Sequence, residues 1–453
     1  MDVESVAHLH KAYCNIAQML TTRDVFRFWI PLCATWLMMG AEGPVLTSII
    51  ARLADPTLNL AAYGVAIAVG MLIESPVIHL LSTTVALARD KHSLEELQKY
   101  TLKVNVLVTV GMVVVVMPPF YNLMAISILR LPADIATPMH WALIGMIPFP
   151  AAVGFRRSIQ GVLIRYGHTR LVAMGTIVRF AAMAGSALLL VLTNSLPGAL
   201  IGTLGLSSGV VAEAFTTRFM ARKVIATMHN EPLAGVPTRQ PLTQRDIFRF
   251  HLPLAMTSLI SFAVMPMLTI FMNRAPLPIM SLAVLPVVDS LVFLFRSFGF
   301  SYQEVGIALM GEKRENEAVI RRVGWYIAAG TTALLAVLTF TPLLDHVYRH
   351  MYGLTEELAA FAVLPTQLLI VLPTVAVMYS VQRSILITSR RNVAVTMSTV
   401  TEVVSVAVVM ACLVTLTSWS GAVAAAAAMS IGRLLANAYL TREVRALKSS
   451  PSA

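Results

Sequence analysis

Charge is scarce in this sequence. Only 13% of its 453 residues are Asp, Glu, Lys or Arg, and 57% are hydrophobic, whereas an ordinary soluble domain carries about 25% charged residues. That deficit excludes a conventional cytosolic enzyme and a disordered chain. Cysteine is scarcer still: Cys14, Cys33 and Cys412 lie far apart with no CxxC spacing, so neither a disulfide framework nor a metal site is expected. Walker, GxSxG and HExxH sequences are absent, which leaves an ATPase, a serine hydrolase and a zincin unsupported. A membrane-embedded transferase would need clustered His, Asp or Glu in a sizeable loop. The longest loop, 223–246, offers only scattered groups such as His229, Glu231 and Arg239. No enzyme, catalytic residue, resident cofactor or nucleic-acid partner is expected, and the polar first 23 residues carry no cleavable signal pattern.

What the sequence has in abundance is long apolar runs, with a mean hydropathy of +0.75. They fall at 27–52, 59–88, 102–128, 136–162, 171–194, 197–220, 248–273, 277–310, 322–347, 358–387, 393–417 and 420–441. Each is long enough, and apolar enough around its circumference, to span a bilayer as a helix. The prediction is an all-α integral membrane protein of twelve transmembrane helices. Gly40, Gly43 and Pro44 interrupt the first run, Pro76 the second, Pro118 and Pro119 the third, and Pro148 and Pro150 the fourth. Broken helices at membrane depth are tolerated where the freed carbonyls face protein or a water-filled cavity.

Sorting the basic residues gives an orientation. Of 34 Lys and Arg, 27 fall at the two termini and in the loops 89–103, 156–170, 218–249, 313–322 and 383–391. The opposite loops hold only Arg52, Arg130, Arg274 and Arg349, and Arg179, Arg296 and Arg433 sit inside runs. By the positive-inside rule both termini are cytoplasmic, in a bacterial inner membrane or a plasma membrane.

An internal repeat sets the organisation. Thr22-Arg23-Asp24-Val25-Phe26-Arg27-Phe28 recurs 222 residues later as Gln244-Arg245-Asp246-Ile247-Phe248-Arg249-Phe250. Arg157-Ser158-Ile159 recurs as Arg383-Ser384-Ile385, and Ala214-Phe215-Thr216-Thr217-Arg218 resembles Ala438-Tyr439-Leu440-Thr441-Arg442. The expected division is therefore an N-lobe, 1–222, a cytoplasmic linker, 223–246, and a C-lobe, 247–453. Six helices per lobe make the repeat parallel, the layout of alternating-access transporters that bind solute between lobes near the midplane.

Ionisable groups at membrane depth mark candidate sites, because each costs at least about 2.5–3.5 kcal/mol on insertion scales. Glu42, beside Gly43 and Pro44, Glu74 and His79 are the candidates for coupling to H+ or Na+. Asp289 and Arg296 lie seven residues apart, two turns along one helix face and roughly 10 Å in rise, so they are placed to bracket a solute. Glu74 and Arg296 occupy repeat-equivalent positions with opposite charge, which suggests a gate pair across the cleft. Arg179, Glu402, Glu213, Glu304 and Arg433 are candidates for gating or for locking helices together by ion pairing.

The stretches Arg27-Phe28-Trp29-Ile30-Pro31-Leu32, Leu60-Ala61-Ala62-Tyr63-Gly64-Val65-Ala66, Ile147-Pro148-Phe149-Pro150 with Gly161-Val162-Leu163-Ile164, and Phe250-His251-Leu252-Pro253-Leu254-Ala255 carry a resemblance. The chain resembles the multidrug/oligosaccharidyl-lipid/polysaccharide (MOP) flippase superfamily, which includes the multidrug and toxic compound extrusion (MATE) transporters, and within it the progressive ankylosis branch. That resemblance implies a V-shaped cleft and rocker-switch alternating access, with export of small organic anions such as citrate, nucleoside triphosphate or pyrophosphate. Arg296 and Arg179 suit such a cargo, because guanidinium binds carboxylate and phosphate bidentately. The drug-extrusion branch implies instead a cation-coupled multidrug antiporter, and a lipid-linked precursor flippase is a further alternative. The expected partners are a small-molecule solute and the bilayer, with the protein a monomer.

Overall fold

The computed structural model describes residues 20–449, apart from 89, 167, 193–195, 223, 227–241, 312–313 and 390. Most of the expected linker, 223–246, lies outside the described residues. Those described form helices and connecting turns without a strand, and twelve helices are long and apolar enough to cross a membrane. Spans 1–6 are Thr22–Ile50, Pro56–Leu87, Lys91–Val116, Ala133–Arg165, Arg170–Val191 and Gly198–Met220. Spans 7–12 are Gln244–Met272, Pro278–Leu309, Glu317–Phe340, Glu356–Thr388, Val393–Leu416 and Gly421–Leu447. Large apolar side chains such as Leu107, Leu189, Phe215 and Leu334 are exposed on the outside of the bundle, as a lipid-facing surface requires. Where the apolar runs and the basic loops overlap in the sequence, the helix prevails. Arg156 and Arg157, read from sequence as loop residues, sit in span 4, and Arg383 sits in span 10.

The 222-residue repeat is visible in the backbone. Spans 1 and 7 both open on a capping box, in which Thr21 pairs with Asp24 and Thr243 with Asp246. Each box satisfies backbone donors that the first helical turn would otherwise leave free. Both spans then break at equivalent residues, Ala41 and Ala263. The cause is Pro44 and its equivalent Pro266, which have no N–H to offer the carbonyl four residues earlier. Spans 2 and 8 both begin with a left-handed residue, Asp55 (φ 49°) and Leu277 (φ 54°), followed by a proline whose fixed φ suits the first helical position.

Spans 1 and 7 interlock the two halves of the chain. At its start, span 1 lies on the second half: Trp29 donates its indole N–H to Ser301 Oγ at 2.8 Å and packs against Phe298 and Tyr302. Beyond the break, Leu46 and Ile50 pack on span 6 of the first half. Span 7 mirrors this. His251, the equivalent of Trp29, contacts Thr83 Oγ1 and the Pro76 carbonyl, both at 3.0 Å, and stacks edge-on with Tyr100. Spans 2 and 8 meet where Gly64 faces its own repeat partner, Pro286. Two equivalent residues touch only on a symmetry axis, so the pseudo-twofold axis passes between them.

Candidate functional site

Between the halves lies a cavity of about 450 Å³, walled by spans 1, 2, 4, 5, 6, 7 and 8. The helix break at Ala41 turns Glu42 toward it, and span 4 brings Arg156 and Arg157, span 5 Arg179, span 2 Glu74 and span 8 Asp289. Its size is that of a drug-sized or smaller solute.

The first half builds an ion network beside this space. Arg179 Nη2 donates to Glu42 Oε2 at 2.5 Å, and Arg156 Nη1 donates to Glu213 Oε2 at 2.8 Å. Gln160 Nε2 donates to the other Glu213 oxygen at 3.0 Å, and Arg179 Nη1 lies 3.9 Å from Glu213. Glu213 is fully buried and serves two helices at once. Two cavity groups are left over. Among the described residues no ion-pair partner lies within 4.0 Å of Arg157 or of Glu74, and Arg157 Nε and Glu74 Oε2 are buried without a hydrogen bond.

In the second half, Arg296 Nη1 bonds Asp289 Oδ1 at 3.4 Å and its guanidinium lies over the Phe300 ring. Asp289 lines the cavity but Arg296 does not. The sequence-equivalent pair Glu74 and Arg296 is not brought together: Arg296 pairs with Asp289 of its own helix. Arg433 pairs with Glu402 at 3.0 Å, and Arg433 and Arg383 both stack on Tyr379. Glu304 is exposed on span 8, within electrostatic reach of Arg157. His79 sits at the break between Pro56–Ile78 and Leu80–Leu87, half-buried, within electrostatic reach of His251, Arg157 and Arg383.

Sequence reasoning missed Arg156, Arg157 and Gln160. The signal was available: Arg156 and Gln160 are four apart and therefore share one helix face, and both lie within the fourth apolar run although Arg156 also counts with the basic loop 156–170. It also missed a seal at the end of the bundle where spans 1 and 7 finish. Arg52 donates to the carbonyls of His350, Met351 and Tyr352 at 2.8, 2.7 and 3.1 Å. Nearly equivalently, Asn273 donates to the carbonyls of Leu129 and Arg130. Each acceptor set closes a π-helical turn, Leu123–Ile128 or Val347–Met351, whose wide winding leaves carbonyls without intrahelical donors. A charge-assisted bond is worth about 1.5–3 kcal/mol. Arg52→Ala should therefore raise the labelling rate of a cavity cysteine, Thr47→Cys, by about tenfold or more with an impermeant maleimide added at that end, in a background lacking the three native cysteines. An unchanged rate would mean that the bonds to Arg52 do not hold the seal.

Two interlocked six-helix halves around a central charged cavity define the architecture. Among solved structures the chain is similar to an inward-facing multidrug resistance MATE family transporter of the MOP superfamily, with TM-score 0.71 and 12% identity over 92% of this chain and 96% of that one. It is similar to the lipid II flippase MurJ in an inward closed conformation, with TM-score 0.71 and 13% identity over 92% and 87%. A MOP superfamily transporter from Pyrococcus furiosus, described as having a binding pocket of reverse polarity, matches with TM-score 0.62 and 12% identity over 95% and 97%. No protein-family model matches the sequence, and no curated protein matches it. At these identities the likeness establishes the fold alone, the MATE/MOP fold that the resemblance implies.

Proposed function

We propose that the protein is an alternating-access secondary transporter that exports a small organic anion through the cavity between its lobes. In this reading 1–222 and 247–453 are the lobes, joined by the linker 223–246, with both termini cytoplasmic by the positive-inside rule. The observation that carries the proposal is Arg157, a cavity-lining guanidinium with no carboxylate within 4.0 Å among the described residues. Arg156 and Arg179 are neutralised by Glu213 and Glu42, whereas Arg157 is free to take a carboxylate or phosphate from the cargo. The resemblance to the ankylosis branch points to the same cargo class.

Glu74 supplies the coupling. It is a buried carboxylate on the same cavity, without an ion-pair partner among the described residues, a group that a proton or Na+ can neutralise. The lining charges balance at three positive (Arg156, Arg157, Arg179) against three negative (Glu42, Glu74, Asp289). Neutralising Glu74 leaves one positive charge in excess, so cation and anion bind together. Glu42 comes second for this role because Arg179 already occupies one of its oxygens. The breaks at Ala41 and Ala263 give spans 1 and 7 a place to bend as the lobes rock.

Counterflow in proteoliposomes tests this reading with labelled citrate, a labelled arylsulfonate and a cationic dye. Arg157→Gln should slow anion exchange by about tenfold or more, the loss of one charge-assisted contact. Arg296→Ala should act more weakly, because Arg296 does not line the cavity. Glu74→Gln should leave exchange intact but abolish its response to an imposed proton or sodium gradient. Dye exchange without anion exchange, indifferent to Arg157→Gln, would establish a cation-coupled multidrug antiporter instead.

A further inference from the structure

The cavity wall is unevenly charged. Five of its six charged lining residues, Arg156, Arg157, Arg179, Glu42 and Glu74, come from spans 1–6. From spans 7 and 8 the wall receives Phe262, Met265, Met272, Leu282 and Phe293, two hydroxyls, Thr269 and Ser290, that donate to carbonyls of their own helices, and one charge among the described residues, Asp289, already bonded to Arg296. One side of the space therefore offers a guanidinium unpaired among the described residues, and the other a largely apolar surface with two pliable methionines, its hydroxyls already spent on their own helices. Met fills irregular apolar gaps and tolerates varied partners.

We infer that the cargo is an amphiphilic monoanion, one carboxylate-, sulfonate- or phosphate-type head on Arg157 and a hydrocarbon or aryl body against Met265 and its neighbours in spans 7 and 8. This rests on the anion-transporter reading above and narrows it. A compact polyanion such as citrate fits the wall poorly. Several of its oxygens would lie against Phe and Met side chains without donors, which is the unfavourable case for buried polar groups. A single anionic head uses Arg157, the cavity guanidinium without an ion-pair partner among the described residues, and each methylene of the body gains by leaving water.

The test is equilibrium binding of labelled octanesulfonate to the whole protein in nanodiscs, competed by alkanesulfonates of increasing length, by citrate and by alkyltrimethylammonium ions of matched length. Sulfonates stay ionised throughout, so membrane permeation of a neutral acid does not enter. The expected result is a ladder in which each added methylene tightens competition by about fourfold until the cavity is full, with citrate far weaker. Met265→Asn should flatten the ladder, Met265→Leu should preserve it, and Arg157→Gln should weaken every rung alike, by about tenfold. The wild-type ladder stands by itself if the Asn variant does not fold. Citrate or methanesulfonate competing as well as octanesulfonate overturns the amphiphile inference and leaves the anion reading standing. Alkyltrimethylammonium ions competing as well as the sulfonates, with Arg157→Gln without effect, overturns both.

Discussion

Glu213→Ala is expected to destabilise the protein by about 3–5 kcal/mol, the usual effect of removing one partner from a buried ion pair. Glu213 is fully buried, and its two oxygens accept from Arg156 at 2.8 Å and Gln160 at 3.0 Å, with Arg179 at 3.9 Å. Without it, Arg156 is left as an uncompensated charge in an interior that hydrates it poorly, and span 6 loses its polar link to spans 4 and 5. Thermal unfolding in detergent, read by tryptophan fluorescence, measures the effect. The double variant Arg156→Met, Glu213→Leu separates charge from packing, because replacing a buried pair by apolar groups of similar volume is often neutral. It should recover most of the stability while losing anion exchange, since Arg156 lines the cavity. A Glu213→Ala protein as stable as the wild type would show that water reaches this network and that it carries little.

The second large effect is expected at the pseudo-symmetry axis. A Cβ added at Gly64 would lie 2.8, 3.2 and 3.3 Å from three ring atoms of Pro286. A proline ring has no rotamer by which to retreat, so any side chain there must push spans 2 and 8 apart. Overpacking of this kind costs about 1–3 kcal/mol. Because the displaced contact is between the two halves, transport should suffer more than stability. Gly64→Ala should slow counterflow several-fold and Gly64→Leu should abolish it, with the protein still folded. The control is Gly185→Ala, where an added Cβ meets nothing within 4 Å; it should be neutral or gain up to about 1 kcal/mol from helix propensity. Wild-type counterflow in Gly64→Leu would place the working interface elsewhere.

Much of the fold was legible in the sequence because its causes are local or periodic. Apolar runs gave the twelve spans, since the bilayer fixes both their length and their composition. The Thr-Arg-Asp and Gln-Arg-Asp stretches predicted equivalent starts for spans 1 and 7, and the capping boxes at Thr21 and Thr243 are their physical content. The proline at Pro44 gave the first helix break for the same reason, a missing N–H. The candidate site was legible only in part. Glu42, Arg179, Glu74 and Asp289 were visible as charges in apolar runs, and they do line one cavity. Arg157 was visible only as part of a repeated Arg-Ser-Ile, where adjacency to a basic loop made it look solvated.

The sequence by itself determined the number of spans, the duplication, the places where helices start and break, and the presence of charge at membrane depth. Only the tertiary structure decided which charges neutralise one another: Arg179 takes Glu42, Arg296 takes Asp289, and Glu213 takes Arg156. Pairing depends on which helix faces meet within about 4 Å, and residues 42 and 179 approach only once five helices have packed. The same packing leaves Arg157 and Glu74 without an ion-pair partner among the described residues, and it carries Arg52, just beyond span 1, to the carbonyls of His350, Met351 and Tyr352. Hydropathy fixes where a chain enters the membrane; the fit of helix against helix fixes which of its buried charges remain available for a ligand.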